Sequence, residues 1–155
     1  MPELWRARNI WAEADIIAER IQDATANGAS PNDFAVLCHS NQLAGLIAKQ
    51  LQKRGLAVLL ASDSQRRAMF NGPPSVKVMT MHSSKGLEFD TVFIPGVCEL
   101  ASHDEDAGRK QQQVRALYVA MTRALRQLEM SHHGEGAVVE QIRRVVEGVS
   151  RRLAA

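Results

Sequence analysis

Two patterns of apolar residues alternate along this chain: one recurs every three or four residues, the other runs in short blocks. Between Glu13 and Ala26 the residues Ala14, Ile17, Ile21 and Ala24 form one stripe, which predicts an amphipathic helix. Asn27-Gly28 suits its stop, because both residues tolerate the left-handed conformation. Ser30-Pro31-Asn32-Asp33 reads as a turn. Phe34 to Cys38 (FAVLC) is a continuous apolar block, as a buried parallel strand requires. The spacing then predicts a helix over 42–54, with Ser40 as N-cap and Leu43, Leu46, Ile47 and Leu51 facing inward. Gly55 ends it, and Leu56 to Leu60 reads as the next strand. Strand, helix, strand in that order implies a crossover and a parallel sheet.

Residues 61–74 are polar and turn-rich. Ser62 and Gln65 have the spacing of a capping box for one or two helical turns, which Asn71-Gly72-Pro73-Pro74 would break. From Val76, the residues Val78 and Thr80 alternate with Lys77, Met79 and Met81, a period of two. A second β-rich run, Thr91 to Ile94, ends at Pro95-Gly96. Between these strands lie Thr80, His82, Ser83, Ser84, Lys85, Gly86 and Glu88. The pattern places them at one edge of a sheet, and ligands of open α/β sheets bind beyond the carboxyl ends of strands. Residues 99–110, with Asp104, Glu105, Asp106 and Gly108, read as a solvated loop without a calcium-loop pattern. A helix is predicted over 111–125, with Val114, Leu117, Tyr118, Met121 and Leu125 on one face and Tyr118 in the core. The last strand is expected over 127–131, and an amphipathic helix over 138–152 with Val138, Ile142, Val145, Val146 and Val149 inward. Residues 1–10 carry no pattern; Trp5 and Trp11 pack either on the domain or on a neighbour in a larger chain.

Composition narrows the class. With 155 residues, 45% hydrophobic and 23% charged, the chain suits one domain with a real core. A net charge of +2 is too weak to argue for nucleic acid or a membrane, so such an argument must rest on local residues. Glu3, Arg6, Arg8, Glu13 and Asp15 near the start exclude a signal peptide. No apolar run is long enough to span a bilayer. Cys38 and Cys98 read as buried, reduced thiols of a cytoplasmic protein. No spacing suits a metal site, and His132-His133 reads as a strand end.

Two longer motifs sharpen this picture. TMHSSKGLEF at 80–89 resembles motif V of the UvrD/Rep/PcrA group of superfamily 1 DNA helicases, and RALYVAMTRA at 115–124 resembles their motif VI. FAVLCHSN and its following helix are similar to the start of the same domain. The resemblance spans residues 13–131 and implies a three-layer α/β, RecA-like domain of the P-loop NTPase type with a mostly parallel sheet. It further implies the second of two motor domains, with ATP and Mg2+ held mainly by the first. No GxxxxGK[ST] occurs in this chain, so the backbone cradle and lysine that hold β- and γ-phosphates are missing. The expected organisation is a single domain over 1–155, with an N-terminal extension at 1–12 and a C-terminal helix at 136–155. The interval between the second helical region and motif V is too short for the accessory subdomain that many of these helicases insert there. A translocase or nuclease-associated motor therefore stands beside a duplex-unwinding helicase.

The resemblance assigns roles residue by residue. Arg123 matches the arginine that reaches the γ-phosphate across the cleft; a planar, permanently charged fork suits the charge of a phosphoryl transition state. Glu88 matches the glutamate that accepts hydrogen bonds from the nucleotide ribose, and Gly86 allows close backbone approach. Glu88 and Gly86 also suit a helix start, Gly for the turn and Glu for the dipole. Thr80 and His82 are expected to contact single-stranded DNA without reading sequence, as are Ser40 and Asn41 at the end of a neighbouring strand. Lys85 suits either a phosphate contact or support of its loop. His39 replaces an arginine common in the family and removes a permanent charge there. Arg115, eight residues before Arg123 on the expected helix, is read as a support of the cleft. The uncharged run Gln111-Gln112-Gln113 stands where the family commonly has acidic residues. The implied partners are single-stranded DNA and an N-terminal RecA-like domain, with no membrane. A freestanding nucleic-acid- or protein-binding module that kept the fold without ATPase activity is the competing expectation.

Overall fold

A computed structural model describes residues 2–62 and 69–155. The expected helical turns at Ser62–Gln65 fall largely outside the described residues. Among these residues six strands form one sheet: β1 (Pro2–Arg6), β2 (Phe34–Cys38), β3 (Val58–Leu60), β4 (Val76–Thr80), β5 (Phe89–Ile94) and β6 (Ala124–His132). Their order is β1-β6-β5-β2-β4-β3, and every neighbouring pair is parallel. Among the described residues four α-helices cover it: α1 (Ile10–Ala26), α2 (Asn41–Lys53), α3 (Ala107–Met121) and α4 (Ala137–Ala154). The result is the three-layer α/β arrangement that the motifs imply.

Side-chain alternation divides the core into two layers. Phe34, Val36 and Cys38 of β2 pack with Ile17 and Ile21 of α1 and with Ile47 and Leu51 of α2. Ala35 and Leu37 turn the other way, toward Leu117 of α3 and Val139 and Ile142 of α4. Caps fix the helix starts: Asn9 accepts from Ala12 N–H, Ser40 from Leu43 N–H, and Asp106 from Arg109 N–H. Among the described residues no helix is long and apolar enough to cross a membrane.

The structure departs from the sequence reading at several places. Residues 2–6, which carry no pattern, form edge strand β1 against β6. There the Trp5 indole donates to Glu129 at 3.1 Å and lies under the Arg20 guanidinium at 5.1 Å, whereas Trp11 stays exposed. β4 has no polar face: it lies inside the sheet, and Lys77 is 0% exposed. Its ammonium donates to Asn32 Oδ1 at 2.7 Å and to the carbonyl and hydroxyl of Ser75 at 2.7 and 3.0 Å, over the Phe70 ring. Burial pulls the Lys77 pKa below the ordinary lysine value. The third helix starts and stops earlier than its apolar spacing predicts. Tyr118 is 57% exposed rather than in the core, because Ala116, Leu117 and Ala120 make the buried face. Leu125 already belongs to β6 and is 63% exposed. Arg123 therefore stands in the turn between α3 and β6, not on the helix that carries Arg115.

Candidate functional site

The parallel register separates the predicted site residues into two groups. Cys38 pairs with Thr80 at the carboxyl ends of β2 and β4. Phe34 pairs with Thr91, and Phe89 with Ala124, toward the amino ends. Residues 81–88 thus run from one edge of the sheet to the other, with Met81 buried in the core and Leu87 partly buried against it. The polar stretch after Thr80 does not gather at one edge, as its pattern suggests; it begins at one and finishes at the other.

At the carboxyl edge, Ser40, Asn41, Thr80 and His82 line one groove of about 620 Å³ together with His39, Ser62 and Ser83. Each is placed by local hydrogen bonding. Ser40 caps α2, so the positive end of that helix opens on the groove. Thr80 Oγ1 accepts from Ser83 N–H at 3.2 Å and shares a 2.9 Å hydrogen bond with Ser83 Oγ. Ser84 Oγ donates to Met81 C=O at 2.6 Å. These bonds hold a 3₁₀ turn at His82–Ser84 that leaves His82 exposed. Hydroxyls, an amide, imidazoles and a helix start make a surface that suits phosphate oxygens.

At the opposite edge lie Gly86, Glu88 and Arg123. Gly86 adopts φ 81°, a left-handed conformation that favours glycine. It is followed by extended chain into β5, so the helix-start reading of Gly86 and Glu88 does not hold. Phe89 N–H donates to Arg123 C=O at 2.9 Å, which brings the exposed Glu88 and the α3–β6 turn together. The Arg123 guanidinium donates to Val119 C=O at 3.2 Å and to Thr122 Oγ1 at 3.1 Å. It rests on the negative end of α3 and keeps three of its five donors free of those bonds.

Sequence reasoning missed a chain of acids and imidazoles that runs from a buried carboxylate to the groove. Glu13 of α1 is 0% exposed. Its carboxylate accepts from Gly96 N–H at 3.0 Å and bonds His133 Nδ1 at 2.5 Å. His133 Nε2 lies 3.4 Å from Glu99, whose other oxygen meets His39 Nε2 at 2.5 Å. His39 lines the groove, so a buried carboxylate of α1 is linked to its wall. The hydrogen bond from His39, helped by the attraction of both imidazoles, holds the Glu99 carboxyl below its usual range against the effect of burial. Burial, reinforced by Glu13 and Glu99, pushes the Cys38 thiol up, which keeps it protonated and unreactive. Burial likewise raises Cys98. The chain is linear rather than convergent, and among the described residues no group of His, Cys, Asp and Glu is arranged to hold a metal. The one signal in the sequence was that Glu13 shares a stripe with Ile17 and Ile21 at four-residue spacing.

Residues 56–135, which carry both motifs and the groove's second wall, match the profile of the UvrD-like helicase C-terminal domain. The chain belongs to that family. It is similar to named helicases. It is 46% identical over 79 residues to the ATP-dependent DNA helicase PcrA of Staphylococcus aureus (strain NCTC 8325 / PS 47), covering 47% of this chain and 10% of that one. It is 44% identical over 64 residues to DNA helicase II of Rickettsia typhi, covering 37% of this chain and 10% of that one. The matched part thus spans about a tenth of the length of these relatives. Among solved structures, the C-terminal domain of a possible DNA helicase from Lactobacillus plantarum WCFS1 superposes with a TM-score of 0.68 at 22% identity, over 89% of this chain and 78% of that one. The Pyrococcus furiosus Hef helicase domain gives 0.55 at 16% identity, over 86% and 27%. These two likenesses establish the RecA-like fold of the UvrD-like domain and nothing finer.

Proposed function

We propose that this domain is the second motor half of a superfamily 1 DNA helicase or translocase, completed by an N-terminal RecA-like domain that holds ATP and Mg2+. The observation that carries the reading is the division of its polar residues between the two edges of one sheet. Ser40, Asn41, Thr80 and His82 share a groove suited to a phosphodiester backbone. Gly86, Glu88 and Arg123 stand at the other edge, joined by the Phe89–Arg123 backbone bond. The residues fit a nucleotide there. Gly86 leaves room for close approach, Glu88 offers exposed acceptors for ribose hydroxyls, and Arg123 keeps donors for phosphoryl oxygens. ATP supplies the phosphoryl group whose cleavage drives the motor. Arg123 would stabilise charge on that group from across the cleft, a role worth about three to five decades in rate.

The test is Arg123→Ala in the parent protein. DNA-stimulated ATP turnover should fall by roughly a hundredfold or more, with single-stranded DNA affinity changed less than about twofold. Near-normal turnover would remove the Arg123 assignment. Affinity for DNA without any ATPase activity in the unsubstituted parent would favour a binding module that kept the fold.

A further inference from the structure

His82 lines two grooves, not one. On its far side it joins Met81, Lys85, Gln112, Arg115 and Val119 around a cavity of about 430 Å³ between the 3₁₀ turn and α3. Lys85 and Arg115 are exposed, and neither side chain has a hydrogen bond or ion pair among the described residues. Elsewhere on the surface Arg6, Arg143 and Arg144 are paired with glutamates. Here no carboxylate lines the wall among the described residues, and Gln112 is neutral. Two cations facing one concavity without an anion repel each other and concentrate positive potential there.

We infer that a single strand of nucleic acid leaves the first groove over His82 and enters the second, where Lys85 and Arg115 each take a phosphate of its backbone. The inference rests on the nucleic-acid reading of the first groove and extends it. Continuity through His82 favours a polyanion that occupies both grooves over a small anion in one. Lys85 provides a point charge and Arg115 a planar fork, both suited to phosphate. Val119 and Ala116 offer apolar surface for the sugar. Contacts of this kind position the strand and read no sequence.

The experiment is fluorescence anisotropy of a labelled oligothymidylate with the 155-residue chain, repeated across a salt series. Each phosphate contact to a single strand contributes about −0.7 to the slope of log affinity against log salt. Lys85→Gln with Arg115→Gln should therefore flatten the slope by about 1.4, and Lys85→Arg with Arg115→Lys, which keeps both charges, should restore it. Arg152→Gln, on the exposed end of α4, should leave it unchanged. An unaltered slope in the double glutamine variant would overturn this second track while leaving the first groove's role intact. Failure of the unsubstituted chain to bind in a salt-dependent way would instead overturn the nucleic-acid reading itself.

Discussion

Glu99 carries more constraint than its place in a polar loop suggests. It stands between His39 and His133, and through His133 it communicates with the buried carboxylate of Glu13. Its folded-state pKa lies below the ordinary value, chiefly because of the His39 hydrogen bond. A depressed carboxyl contributes stability that is present above its unfolded-state pKa and is lost as pH falls through the folded one. Glu99→Gln keeps an acceptor for His39 but deletes the charge. Its side chain is 40% exposed, so solvent screening holds the effect to roughly 0.5–1 kcal/mol near neutral pH. Urea unfolding should show that gap at about pH 7 and its progressive loss as pH falls below the ordinary carboxyl range. A gap of the same size throughout would mean that packing, not charge, is the cause.

Among the elements, β4 shows where pattern reading succeeds and where it stops. The strand itself was legible, as were β2, the Ser40 cap and the parallel order, because their apolar blocks and turn residues agree. The burial of Lys77 was not, since periodicity treats a charge as exposed and cannot see Asn32 arriving from the turn before β2 to join Ser75 around the ammonium. The α3–β6 junction misled for a related reason. RALYVAMTRALRQLEM contains no glycine or proline, and its apolar spacing runs through the turn that sets Arg123 off the helix. Motif chemistry named both groups of candidate residues; only the strand register could place them at opposite edges. Lys77 ties β4 to the turn that begins β2, and this has a measurable consequence. Lys77→Ala opens a cavity and strips partners from Asn32 and Ser75, at a cost of roughly 2–4 kcal/mol. Lys77→Met keeps the stem's volume and should cost about 1–2 kcal/mol. Chemical denaturation of both variants checks the order; a methionine variant as stable as the parent sequence would show that the ammonium bonds do not staple the strand.

For the whole molecule, the decisive feature is that the two candidate sites are joined by residues 81–88. That segment follows Thr80 in the groove, crosses the sheet with Met81 in the core and Leu87 packed against it, and ends at Glu88 beside the Arg123 turn. In the proposed motor, a strand contact at His82 and a nucleotide contact at Glu88 would therefore pull on the two ends of one packed element. A ligand shifts an equilibrium only by its differential affinity for two states, and any coupling so produced is reciprocal. In the proposed motor, those states differ by closure of the partner domain onto Arg123, and this domain by itself has only one of the two surfaces. A non-hydrolysable ATP analogue should thus leave the oligothymidylate affinity of the 155-residue chain unchanged. In the parent protein the same analogue should change affinity by about 5- to 150-fold. Anisotropy with and without the analogue measures both. A nucleotide effect of that size in this chain alone would mean that it binds ATP and switches state without a partner, and the half-motor reading would have to be abandoned.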